Sequence, residues 1–64
     1  MKGTLVIYHP AWQEAGIRSE AKWFRFDLGG EFGQYKLGQF LQEGLAALLR
    51  GERVSTETRT AWIE

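Results

Sequence analysis

A chain of 64 residues without a single cysteine has to hold itself together by side-chain volume alone. A domain this short buries only about 60% of the surface that its unfolded form exposes. Many domains of this size lean on disulfides, metals or a partner subunit. The missing cysteines remove the disulfide framework and any thiolate metal site. The single histidine, His9, cannot build a zinc site without several carboxylates beside it. What remains is the aromatic content, 14% of the chain, because each ring buries a large area. The length sets a ceiling of one domain, residues 1–64.

Eight basic and eight acidic residues, scattered singly, give a net charge of zero. A protein that works through phosphate contacts carries a basic excess, so this balance argues against a strongly nucleic-acid-bound class. No apolar run approaches the roughly 20 residues of a membrane span. The N-terminal "MKGTLVIYHPAW" has too short an apolar stretch for a signal peptide. The expected location is the cytoplasm, with no membrane partner and no cofactor.

Periodicity supplies the elements. "TLVIYH", residues 4–9, is β-branched and aromatic and predicts a strand with both faces at least partly covered. Residues 18–28, strongest over 22–28, predict a second strand. Its alternation puts Phe24, Phe26 and Leu28 on a core face and Trp23, Arg25 and Asp27 on an open one. Gln34 to Arg50 predict one helix, with Leu37, Leu41, Leu45 and Leu48 as its apolar stripe and Gly51 as its left-handed cap. Gly38 and Gly44 inside it point to close approach of the helix backbone to the sheet or to a partner. Residues 53–63 alternate and predict a third strand, with Val54, Thr56, Thr58, Thr60 and Trp62 on one face. The expected fold is α+β, ββαβ: a three-stranded, mainly antiparallel sheet of order 2-1-3, with one helix on one face. The third strand falls at an edge, guarded by Glu57 and Arg59.

The segment "HPAWQEAG", residues 9–16, holds the only proline. Pro10 ends the first strand, and Pro10 and Gly16 stand where a short helical turn begins and ends. The expectation is a single helical turn that folds Trp12 and Ala15 over the sheet. A catalytic version would use His9 as acid or base with Glu14 or Glu20 orienting it, but no second group is fixed by spacing. "GGEFG", residues 29–33, follows a strand and opens a helix, the setting of a phosphate loop. It matches neither nucleotide-binding pattern, and Glu31 would oppose a phosphate, so it reads as a glycine-rich connection.

No nucleophile–base pair, metal set or cofactor loop is present, which sets the enzyme reading aside. The favoured function is a non-enzymatic protein-binding module that docks on a macromolecular partner through Trp12, Trp23, Arg25, Glu57 and Arg59. A chain that starts at methionine and stops directly after its last strand reads as complete. Small complete proteins of this kind include phage- and mobile-element-type inhibitors of a host protein complex such as a defence nuclease. The alternative is a small nucleic-acid-binding domain using Arg18, Lys22, Trp23 and Arg25, since sheet-borne aromatics stack on bases. The third-strand edge also offers a pairing site for a homodimer.

Overall fold

The apolar run Leu5–Val6–Ile7 makes β1 (Thr4–His9) the central strand, and all three residues are buried. The computed structural model describes residues 1–64 and continues with β2 (Trp12–Glu14), β3 (Ile17–Ser19) and β4 (Lys22–Asp27). Then come α1 (Glu31–Gly38), α2 (Gln42–Leu49), β5 (Val54–Ser55) and β6 (Thr60–Ile63). The main sheet has the order β4-β1-β6-β5 and is antiparallel throughout. The fold is thus α+β. The three expected strands keep their order, but the sheet has four strands, a two-stranded ribbon joins it, and the helix is two helices.

Each departure has a local cause. The expected helix over 34–50 starts earlier, at Glu31, inside the "GGEFG" connection, and breaks at Gln39–Leu41. Gly38 closes α1, and Leu41 takes an extended conformation (φ −63°, ψ 157°) ahead of α2. The break throws Leu41 out of the expected stripe; it is 85% exposed, while Leu37 and Leu48 are buried. Gly51 does cap α2 with a positive φ, as expected. The expected third strand over 53–63 folds back on itself. The Thr56 hydroxyl accepts from the amides of Thr58 and Arg59, and the Thr56 amide donates to the Arg59 carbonyl, closing a turn between β5 and β6. The turn resets the alternation: Val54 now lies opposite Ala61, and Ser55 opposite Thr60, so Val54 and Trp62 no longer share a face.

"HPAWQEAG" is not a helical turn. It is the first half of a β-arm. The β2–β3 pairing (Trp12↔Ser19, Gln13↔Arg18, Glu14↔Ile17) continues the register of β1–β4, which ends at His9↔Lys22. Between the two, pairing lapses at Pro10–Ala11 and Glu20–Ala21, where proline has no amide to donate. The tip is a two-residue turn with Ala15 and Gly16 both at positive φ (51° and 79°). The arm stretches the molecule to 42 × 22 × 17 Å. The radius of gyration is 12.8 Å, against about 10.7 Å for a compact domain of this length.

Both helices pack on one face of the sheet. The core joins Leu5, Ile7 and Ala61 of the strands and Leu28 to Leu37 and Leu48 of the helices, with Phe26, Phe40, Leu45, Val54 and Ile63 around them. The close backbone contact is made by Gly33. A Cβ there would overlap the Asp27 carbonyl and come within 3.2 Å of the Leu28 Cα. The expected close approaches fall elsewhere. A Cβ on Gly38 meets open space, and one on Gly44 makes an ordinary contact with Val54.

Two outcomes follow. Gly33→Ala lifts α1 off β4 and costs about 1–3 kcal/mol or more, whereas Gly38→Ala is neutral or stabilises by up to about 1 kcal/mol; urea unfolding of both variants checks the contrast. A left-handed conformation costs a residue with a Cβ roughly 1–2 kcal/mol, and asparagine accepts it better than alanine. Ala15→Asn should therefore tighten the arm, seen as slower amide exchange over residues 12–19.

Candidate docking surfaces

The face of the sheet opposite the helices carries no covering layer. Alternation places Val6 and Tyr8 of β1, Trp23 and Arg25 of β4 and Thr60 and Trp62 of β6 on it, since Val6 pairs with both Arg25 and Trp62, and Tyr8 with both Trp23 and Thr60. The Tyr8 and Trp23 rings sit 4.5 Å apart, tilted by 46°. Arg53, just ahead of β5, lays its guanidinium over the Trp62 ring at 4.4 Å. Together these side chains line a shallow depression of about 270 Å³. Trp23 remains 57% exposed.

Arg25 reaches across the same face to the Glu64 carboxylate, 2.6 Å away. That hydrogen bond holds the Glu64 carboxyl below the usual carboxylate range, with a smaller contribution from the Trp62 indole. A lowered carboxyl pKa means that the pair is fully formed above the ordinary carboxylate value and is lost as pH falls through the lowered one. The pair is exposed, so its role is to orient Arg25 rather than to stabilise the fold.

A second surface is the hollow, about 560 Å³, between the arm and the β5–β6 turn. Trp12, His9, Glu14, Glu20, Lys22 and Glu57 are among its lining residues. Trp12 is 52% exposed there. His9 meets Phe24 edge-on at 5.5 Å, and no hydrogen bond ties it to Glu14 or Glu20. No group of three His, Asp or Glu side chains converges to hold a metal ion.

The structure therefore splits the expected partner-binding set. Trp23 and Arg25 share the open face; Trp12 and Glu57 share the hollow. Arg59 turns to the helix side, with its guanidinium 4.9 Å from the Phe40 ring. The alternative set is divided as well. Lys22 pairs in register with His9, on the opposite face from Trp23 and Arg25, and Arg18 lies on the arm, 3.8 Å from Glu20. The sequence singles out neither Tyr8 and Arg53 nor Trp62, whose face is hidden by the reversal at Thr56–Arg59. No helix is long and apolar enough to cross a membrane.

No family model matches the chain, and neither a curated protein nor a solved structure matches it significantly.

Replacing Arg25 with alanine should return the Glu64 carboxyl upward to the ordinary carboxylate range while the fold persists. A carboxyl-detected NMR titration of the wild type and Arg25→Ala reads this directly; an unchanged Glu64 midpoint would show that Arg25 is not its partner in solution.

Proposed function

We propose that the chain is a non-catalytic binding module that docks on another protein through the open face of its sheet. The observation that carries this reading is that the uncovered face concentrates Tyr8, Trp23, Trp62, Arg25 and Arg53. Tryptophan, tyrosine and arginine are the residues that dominate binding hot spots. A four-stranded sheet backed by helices holds them rigidly, which lowers the ordering cost on association. The hollow around Trp12 and Glu57 gives the arm a second point of contact with the same partner. A blocker of a host protein complex, such as a phage-type inhibitor of a defence nuclease, is the form of partner binding we favour. Such a protein acts by occupying a surface and needs no catalytic group.

A second reading is supported by the Arg53–Trp62 stack beside Trp23, which has the form of a base-stacking platform for single-stranded nucleic acid. Charge weighs against it. Arg25 is neutralised by Glu64, Lys22 lies on the other face, and the chain is neutral overall.

Affinity capture from the lysate of the source cell, with and without nuclease, separates the two. The docking reading expects a stoichiometric protein partner that survives nuclease. It also expects Trp23→Ala to weaken that complex by about 2 kcal/mol, roughly 30-fold. Leu49→Ala, an exposed leucine on α2, should leave it unchanged. Recovery that vanishes with nuclease, and affinity that falls steeply with salt, would replace it with the nucleic-acid reading.

A further inference from the structure

The free edge of β4 is the longest unpaired strand edge in the molecule. The opposite edge of the sheet, β5, has only two residues, and β6, from the segment expected to be the edge, is paired on both sides. The hydrogen-bond phase along β4 follows from its ends. The Leu28 amide donates to the Gly3 carbonyl, and Thr4 exchanges two bonds with Glu64. Alternation then points the backbone groups of Lys22, Phe24 and Phe26 toward β1, and those of Trp23 and Arg25 outward with no partner. An edge of this kind is a template for another strand.

The side chains along this edge are exposed and aromatic. Trp23 is 57% exposed, Phe24 43%, and Phe32 and Tyr35 of α1 62% each. Phe32 packs beside Phe26 of β4 at 5.6 Å, and Tyr35 stacks on Phe32 at 6.3 Å, so the helix extends the same apolar margin.

We infer that this edge pairs with the β4 edge of a second copy of this chain, across a twofold axis at Phe24. A twofold axis perpendicular to the sheet keeps both open faces on one side; among the registers it allows, two centre on Phe24 and on Arg25, and a third, centred on Trp23, sets Lys22 opposite Phe24 and leaves Arg25 opposite no residue of β4. In the first, Phe24 faces Phe24 of the second copy and Trp23 faces its Arg25. In the second, the two Arg25 side chains face each other, which like charges oppose. The first register is self-complementary: an arginine beside an indole on the open face, and two phenyl rings together on the helix face. Its narrow pairs join the outward backbone groups of Trp23 and Arg25. The two α1 helices then lie close to the axis, and Phe32 and Tyr35 become covered. The four exposed rings hold on the order of 500 Å² per copy on the usual scale of aromatic areas. Trp23 stays largely on the open face, so the buried area comes mainly from Phe24, Phe32, Tyr35 and the edge backbone, an interface smaller than the roughly 800 Å² per partner of a standard one. The pairing builds one eight-stranded sheet and doubles the open face without covering it.

Two measurements test the pairing. Sedimentation equilibrium of the wild type at about 100 μM, far above a micromolar dissociation constant, should give twice the 7.3 kDa chain mass. The chain has no cysteine, so single-cysteine variants report contacts without background. Directly opposed residues at a non-hydrogen-bonded site have Cα atoms about 4.5 Å apart, within disulfide reach. Phe24→Cys should cross-link under mild oxidation at least tenfold faster than Glu57→Cys or Arg25→Cys. A wild-type monomer at that concentration overturns the proposal. So does a dimer in which Glu57→Cys or Arg25→Cys cross-links as fast as Phe24→Cys. A monomer whose β4 edge is occupied only by a foreign protein segment overturns it too, while leaving the docking function standing.

Discussion

Leu5, Val6 and Ile7 are three consecutive buried residues on β1, and the other elements are placed by the need to shield them. Alternation sends Leu5 and Ile7 to one face and Val6 to the other. The helices cover the first face through Leu37 and Leu48. Nothing comparable covers the second. Val6 is sealed there by its lateral neighbours, because the register sets Arg25 on one side of it and Trp62 on the other. The open face thus has a structural duty as well as an exposed surface. Its large side chains lean over a small one, and the Arg25–Glu64 and Arg53–Trp62 contacts hold them in that posture.

This arrangement leaves much apolar surface in water. The chain exposes 4907 Å², against about 4,200 Å² for a compact monomer of its mass. The excess has two sources. One is the arm, which carries Trp12 and Ile17 beyond the body of the sheet. The other is the margin of β4 and α1, where Trp23, Phe24, Phe32 and Tyr35 stand exposed. The open face and the β4 edge share Trp23 and Arg25, and the arm hollow shares Phe24 with that edge.

Much of the body was legible in the residues. The β-branched run at 4–9, the alternation of 22–28 and the Gly51 cap are strong local signals; the first and last stand where periodicity puts them, while β4 ends at Asp27 and Phe24, on the helix side as expected, stays exposed. What was hidden were reversals. Leu41 keeps the three- and four-residue spacing of a continuous helix, although the chain turns there. Threonines alternate across 54–60 as a strand would, although the Thr56 hydroxyl closes a turn. At the arm tip, alanine stands where asparagine or aspartate would have announced a hairpin, and Gly16 alone is an ambiguous mark. Each reversal changes which face later residues take. For that reason Trp23 and Arg25 were placed correctly from the sequence, while Trp62 and Arg53 were not recognised as their neighbours.

The claim on which the functional account rests is that the sheet is covered on one face and bare on the other. Paramagnetic relaxation by a small soluble probe, read by NMR on assigned side chains, tests it most directly. The account predicts strong relaxation of the Trp23 and Tyr8 rings together with protection of the Leu5, Ile7, Leu37 and Leu48 side chains. Protection of Trp23 and Tyr8 equal to that of the leucine core, in a sample shown to be free of partner, would mean that a layer covers both faces, and would contradict it.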